Sequence, residues 1–301
     1  MSLMKDNVLL CLDSFAMEKT VRMLSRFRNN NFAICDELLL PLGAGCFPLG
    51  AMINHSCDPN CAVTFVPKTL NMEFRAMRSI LSGEEVTQSY GSLDELLIVV
   101  DVALPRRERH QRLQHKYHFT CACFRCLQPL EERESLDANL DADVNGVVQE
   151  KWTEDRRYEV ELALAEANAV TSAVPSETEV AVHQELCIAA LQRLAQVQST
   201  LLHDHSIARL QTLSALFSAE MDRGSVKEAI GYGEGMLEFY RRVYNLNHPM
   251  TGLHLFTLGD LYRQLAQVGI TLEQSRMKSW EYFAEARRIL RITHGKQHRL
   301  H

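Results

Sequence analysis

Two stretches decide how this chain is read: Ala51-Met52-Ile53-Asn54-His55-Ser56-Cys57-Asp58-Pro59-Asn60-Cys61 and Tyr117-His118-Phe119-Thr120-Cys121-Ala122-Cys123-Phe124-Arg125-Cys126. The second carries three thiols in a C-x-C-x2-C cluster. Thr120 and Arg125 make it too polar for three merely buried cysteines, so the spacing points to a metal. A fourth ligand has to come from elsewhere: Cys57 from the first stretch, with Cys61, Cys46 and Cys35 as rivals. Four thiolates around one zinc make a closed structural site with no position left for chemistry on the metal. Such a site would clamp the later segment over Asn54-His55 and wall a pocket. Without that setting, Asn54-His55 would read as a hydrogen-bonded turn or core pair.

The bulk properties agree with a folded, non-membrane chain. The sequence has 301 residues, 46% hydrophobic and 23% charged, enough for one large or two ordinary domains. A net charge of −6 and a pI near 6.1 give no basic field, which disfavours direct nucleic-acid binding. The N-terminal run is interrupted by Asp13 and has no secretory h-region, and Leu96–Val100 is too short to span a bilayer. Nine cysteines, partly clustered and without an export signal, favour metal over disulfides and a cytoplasmic or nuclear location.

Periodicity places the elements. Met17, Val21, Leu24 and Phe27 predict a helix over 16–28, followed by a short apolar strand at Phe32–Cys35. Gly43-Ala44-Gly45 reads as a turn, not a phosphate loop. Cys61–Phe65 and Met72–Met77 alternate and flank Pro67-Lys68-Thr69, a hairpin; Val86–Tyr90 is a further strand. Residues 104–116 read as a helix whose basic groups form a solvated face. The acid-rich stretch 127–155, with Glu131-Glu132, Asp141 and Asp143, reads as a linker. Helices follow at 156–171, 178–202, 206–222, 226–245, 249–267 and 272–293. Ser225-x-x-Glu228 and Thr271-x-x-Gln274 predict capping boxes, Pro249 a helix start, and Gly269 and Gly295 helix ends. Antiparallel helices of this length suggest TPR-like stacking, though the strict repeat signature is absent. His203, His205, His294, His298 and His301 read as structural or solvent-facing, His203 and His205 on different faces.

Asn54-His55-Ser56-Cys57, then Gly83-Glu84-Glu85-x4-Tyr90, then Cys-x-Cys-x2-Cys resembles, in that order, the SET-domain protein methyltransferases. With an acidic stretch and helical tail following, the match is to the SET and MYND domain (SMYD) family, from about residue 20 to residue 298. The resemblance implies an α+β fold: the C-terminal half of a β-rich SET domain (1–95), a connecting helix and post-SET zinc segment (96–126), the acidic linker (127–155) and an all-α TPR-like domain (156–301). It implies structural zinc on Cys57, Cys121, Cys123 and Cys126. It implies S-adenosylmethionine bound by Asn30, Asn54, His55, Tyr90 and Phe119, a substrate channel lined by Phe32 and Tyr117, and Tyr90 as the catalytic side chain. The partner would be a protein substrate, histone or non-histone, presenting a lysine, with a further protein partner on the helical bundle.

The family's glycine-containing N-terminal SET strands and MYND finger spacing do not occur in these residues, and Leu96–Leu104 lengthens the usual step from Tyr90 to the thiols. The alternative expectation is therefore a truncated, non-catalytic zinc-binding interaction module. A cysteine hydrolase built on Cys57 and His55 is disfavoured, because zinc would consume the nucleophile.

Overall fold

A computed structural model describes residues 14–66, 69, 71–90, 101–129, 136–176, 179–267 and 272–296. Outside these lie Asp13, Pro67-Lys68, Leu96–Val100, Glu131-Glu132, Gly269, Thr271, His298 and His301, together with most of the Leu96–Leu104 stretch. The fold is α+β, as expected. α1 (Ser14–Asn30) leads directly into β1 (Asn31–Cys35), which pairs antiparallel with β2 (Pro41–Cys46). β3 (Asn54–His55) runs parallel to β6 (Thr87–Gln88), and β4 (Cys61–Val66) forms an antiparallel hairpin with β5 (Asn71–Ala76). The glycines expected to break the chain lie inside β2 instead. Gly43 opposes Ile34 and Gly45 opposes Phe32. A Cβ on Gly45 would meet Phe47 at 2.8 Å and Ile34 at 2.9 Å, so glycine here permits close packing, not a turn. The strand expected over Val86–Tyr90 shrinks to two residues.

α2 (Arg106–Tyr117), α3 (Phe124–Leu127) and α4 (Leu136–Asn139) connect to the helical region. Two expectations are corrected here. The basic face of α2 is only partly solvated, because Arg109 is buried against Asp137. The acidic stretch is no free linker: Asp137, Leu140, Ala142 and Asp143 are all buried. Leu140 joins Val102 and Leu104 in a core shared with Ile207, Leu210, Phe239 and Tyr240. A carboxylate that counters buried guanidinium belongs inside, whatever the local composition suggests.

The long helices are α5 (Glu154–Thr171), α6 (Val180–Leu201), α7 (Ile207–Arg223), α8 (Val226–Val243), α9 (Pro249–Gln267) and α10 (Leu272–Thr293), each packed on the next. Their apolar residues recur every three or four positions. On α8, Ala229, Ile230, Gly233, Leu237, Tyr240 and Val243 are buried along one stripe. α7 ends at Gly224 in the left-handed conformation, and α9 begins on Pro249 as the sequence predicts. Ser225 makes no capping bond; its hydroxyl accepts from Arg223 Nε at 3.0 Å instead.

Three polar bonds dock the helices on the β-region. Arg75 Nε donates to the Ile292 carbonyl at 2.7 Å, Asn247 Nδ2 to that of Met77 at 2.6 Å, and Asn245 Nδ2 to that of Pro59 at 3.3 Å. They bring the loop between α8 and α9 onto the end of β5 and the start of β4.

Candidate active site and metal centre

The sulfurs of Cys57, Cys121, Cys123 and Cys126 all lie within 4.8 Å of one another. Cys126 Sγ and Cys57 Sγ are 3.5 Å apart, and Cys57, Cys121 and Cys126 are buried. Hydrogen bonds from Cys121, Cys126 and Cys57 drive Cys123 far below the ordinary thiol range, and the same sharing pushes Cys57 far above it. Four thiolates cannot coexist this close without a cation, and this donor set suits zinc. The rivals stand apart from the cluster: Cys46 is exposed, and Cys35 and Cys61 line a separate cavity.

Beneath the sulfurs sits a charge hub that sequence reading missed. Asp137 accepts from Arg109 at 2.7 and 2.9 Å, from Arg125 at 2.8 and 3.1 Å, and from Arg106 at 3.3 Å. Burial alone would raise its pKa, but the two buried guanidiniums outweigh burial and hold the carboxyl below the ordinary range. Arg125 also donates to the Cys57 carbonyl at 3.1 Å and the Val102 carbonyl at 2.7 Å, so the hub anchors both cysteine segments. The legible signal was an arginine inside the ligand segment itself.

Asn60 and Gln88 were missed too. Asn60 Nδ2 donates to the Glu85 carbonyl at 2.8 Å, and its Oδ1 accepts from Thr87 N at 2.8 Å. Gln88 Nε2 donates to the Ile53 carbonyl at 3.1 Å. These two buried amides replace the ladder that two-residue strands cannot supply.

Around Asn54-His55 the geometry is compact. Tyr90 N donates to His55 Nδ1 at 3.0 Å, and the Tyr90 hydroxyl to the Ile53 carbonyl at 3.0 Å. His55 Nε2 lies 3.3 Å from Cys57 Sγ, which links this pair to the sulfur cluster. The Tyr90 ring centroid is 4.9 Å from that of Tyr117, 5.3 Å from that of His55 and 6.3 Å from that of Phe119. Burial and then the Glu85 charge raise the Tyr90 phenol, so it stays a protonated donor. Asn54 Nδ2 is held by Glu85 Oε1 at 2.6 Å, and Asn30 Nδ2 by the Arg26 carbonyl at 2.8 Å.

Two cavities meet here. A polar one of about 640 Å³ is walled by Asn30, Asn54, His55, Glu85, Phe119 and Cys121, among others. An apolar one of about 320 Å³ runs between β1, β4 and the α8–α9 loop, with Phe32, Phe65, Met77 and His248 on its walls. Asn29, Asn30, Tyr90 and Tyr117 belong to both. Every residue expected at the cofactor site thus lines the polar cavity, and Phe32 lines only the apolar one. No Asp, Glu, Lys or Arg lines the apolar cavity among the described residues. His203 and His205 lie elsewhere, between α6 and α7, with ring centroids 5.2 Å apart; they face one another, contrary to expectation.

A four-cysteine cluster thus lies beside an Asn-His segment and a half-buried tyrosine, and residues 8–91 match the SET domain family. The chain is 29% identical over 273 residues to Histone-lysine N-methyltransferase SMYD3 of Homo sapiens, covering 90% of this chain and 54% of that protein. It is 29% identical to Histone-lysine N-methyltransferase ASHR1 of Arabidopsis thaliana, covering 96% and 60%. To N-lysine methyltransferase SMYD2-B of Danio rerio it is 26% identical, covering 92% and 57%. A SET match over residues 8–91 thus stands beside similarity to these methyltransferases over most of the chain. The chain spans little more than half the length of these curated relatives.

Proposed function

We propose that this chain carries the donor and acceptor sites of a protein-lysine N-methyltransferase that uses S-adenosylmethionine. The observation that carries the proposal is the sharing of Tyr90 and Tyr117 between a polar cavity and an uncharged apolar one. In this reading Asn30, Asn54, His55 and Phe119 line the cofactor niche. Phe32, Tyr90 and Tyr117 line the channel for the lysine. When bound, the cofactor supplies a methyl group already activated by a sulfonium.

The chain's residues have three tasks. The apolar walls strip water from the entering lysine, which lowers its pKa and favours the neutral amine. No carboxylate on the walls opposes this by stabilising the ammonium, among the described residues. Tyr90, fixed by His55 and the Ile53 carbonyl, positions the amine along the line of attack. Zinc, held by Cys57, Cys121, Cys123 and Cys126, would fix the Phe119 segment over Asn54 and take no part in the chemistry. Residues 156–301 form a TPR-like domain that covers one side of the acceptor cleft and restricts which proteins enter.

Calorimetry of the zinc-loaded chain tests this first: saturable binding of S-adenosylmethionine is expected. Transfer of labelled methyl to an array of histone and other proteins should follow. Tyr90→Phe should lower it by about tenfold or more, consistent with loss of a positioning hydrogen bond. Zinc-loaded protein without cofactor binding would instead mark a non-catalytic interaction module.

A further inference from the structure

Two helices of this fold carry more apolar surface than they bury. α1 is 17 residues long, yet none of its described side chains is buried. Met23 and Phe27 are 62% and 39% exposed and share one side of the helix with Ala16, Thr20 and Leu24. α5 buries Ala167 alone. Val160, Ala163, Ala167 and Val170 form the side of α5 that is turned inward. Tyr158, Leu162, Ala165 and Ala169 form a second stripe on the outer side, all exposed, Tyr158 by 64% and Leu162 by 44%. Helices in proteins owe most of their stability to a packed apolar stripe, so a stripe left bare calls for a partner.

The two bare stripes match each other. Ala16, Thr20, Met23 and Phe27 follow spacings of four, three and four, and so do Tyr158, Leu162, Ala165 and Ala169, the spacing of a two-helix seam. Their flanks carry opposite charge. Lys19 and Arg26 border the α1 stripe seven residues apart, and Glu159 and Glu166 border the α5 stripe seven residues apart. All four are exposed, and none makes an ion pair among the described residues, whereas Arg22 is already held by Glu18. We propose that α1 of one copy docks on the outer face of α5 of a second copy, with Lys19 and Arg26 against Glu159 and Glu166, and that the reciprocal contact closes a two-fold dimer. Helices of 17 and 18 residues are about 25 Å long, so the two contacts together bury roughly 1,000 Å², the lower limit for a specific interface. The dimer is therefore weak and transient. The contact uses no residue of the proposed cofactor or acceptor sites.

Sedimentation velocity of the zinc-loaded full chain tests this over a range of about 1 to 200 µM, where an interface of this size should associate. The sedimentation coefficient is expected to rise with concentration at low salt and to rise less at high salt, because salt screens the flanking pairs. Association through apolar surface alone would not weaken with salt. Two charge-reversed chains then identify the partner surfaces. One carries Lys19→Glu and Arg26→Glu, the other Glu159→Lys and Glu166→Lys. Each alone sets like charges against like and should weaken association by at least about tenfold. Mixed in equal amounts, the two should associate as the parent does, since every α1 then meets an α5 of opposite sign. A synthetic peptide of residues 14–30 gives a second reading with no substitution in the chain. Titrated into the isotope-labelled parent, it should shift amides of residues 158–169 and compete with the dimer.

A chain that stays monomeric across the range, association indifferent to either reversal, or no recovery on mixing would overturn the inference. So would a peptide that leaves residues 158–169 unshifted, or association that strengthens with salt. Self-association without S-adenosylmethionine binding would leave this inference standing and remove the methyltransferase reading. Cofactor binding by a chain that never dimerises would do the reverse.

Discussion

The β-region and the helical region are held together by opposite means. In the first, β3 and β6 have two residues each, and order rests on point cross-links: four sulfurs, the Arg106–Arg109–Arg125–Asp137 hub, and the amides of Asn60 and Gln88. In the second, Leu237, Leu255, Leu258, Tyr282, Ala286 and Ile289 share one continuous buried cluster with no charge in it. Distributed burial tolerates the loss of one member, because the others still exclude water. Point cross-links do not, because each lost partner leaves a buried charge or a free chain end. The proposed function gives this contrast a reason. A niche for a polar cofactor must keep polar walls, so apolar packing cannot be what shapes it.

The comparison can be broken most directly at the metal. Removing zinc with a strong chelator, or substituting Cys126→Ser, should abolish S-adenosylmethionine binding and open residues 54–126 to proteolysis, while far-ultraviolet dichroism keeps most of its helical signal. Structural zinc contributes about 10–16 kcal/mol in small domains, so this should be the largest effect. Concerted loss of the helices would show that the two regions are one cooperative unit.

Asp137→Ala comes next. It strands Arg109 and Arg125 in the interior at a cost of about 3–5 kcal/mol, measurable by urea denaturation. Leu258→Ala, at a side chain with no exposure, should cost about 2–5 kcal/mol through the lost transfer term and the cavity left behind, while cofactor affinity stays unchanged.

The smallest effect is a pH dependence carried by the helical region. Burial holds His248 at about 3, against an ordinary value of 6.5, and also depresses His254 despite its 2.7 Å contact with the Gly233 carbonyl. Since both folded values lie below the unfolded one, the unfolded chain binds more protons beneath pH 6.5. The contribution is therefore complete above 6.5 and declines as pH falls towards the folded values. Each histidine should cost up to about 1.4 kcal/mol per pH unit over that window, and His248→Asn should flatten the urea midpoint between about pH 7 and 5.

Much of this was written in local order. The long helices follow from three- and four-residue spacing, with Pro249 and Gly224 marking a start and a stop. The thiol cluster is a motif of six residues that no long-range fact is needed to see, and Tyr90 follows a Gly-Glu-Glu turn that carries the family resemblance. Composition misled where a charge is buried. Asp137 looks like part of an acidic linker, and Arg109 like part of a solvated face, until the two meet. Gly43 and Gly45 look like a break until Ile34 and Phe32 are found opposite them. Ser225 looks like an N-cap until Arg223 is seen to hold its hydroxyl.

What the sequence alone determined was the long helices, the β4–β5 hairpin and the identity of the chemically distinctive side chains, because periodicity, thiol spacing and turn residues are local properties. What only the tertiary structure decided was which cysteine joins Cys121, Cys123 and Cys126, where Asp137 sits, and that Phe32 and Phe65 share a cavity with His248. Those are questions of which distant groups share a low-dielectric interior. There a charge or a hydrogen-bonding atom must find its partner through space, and neighbours along the chain do not reveal it.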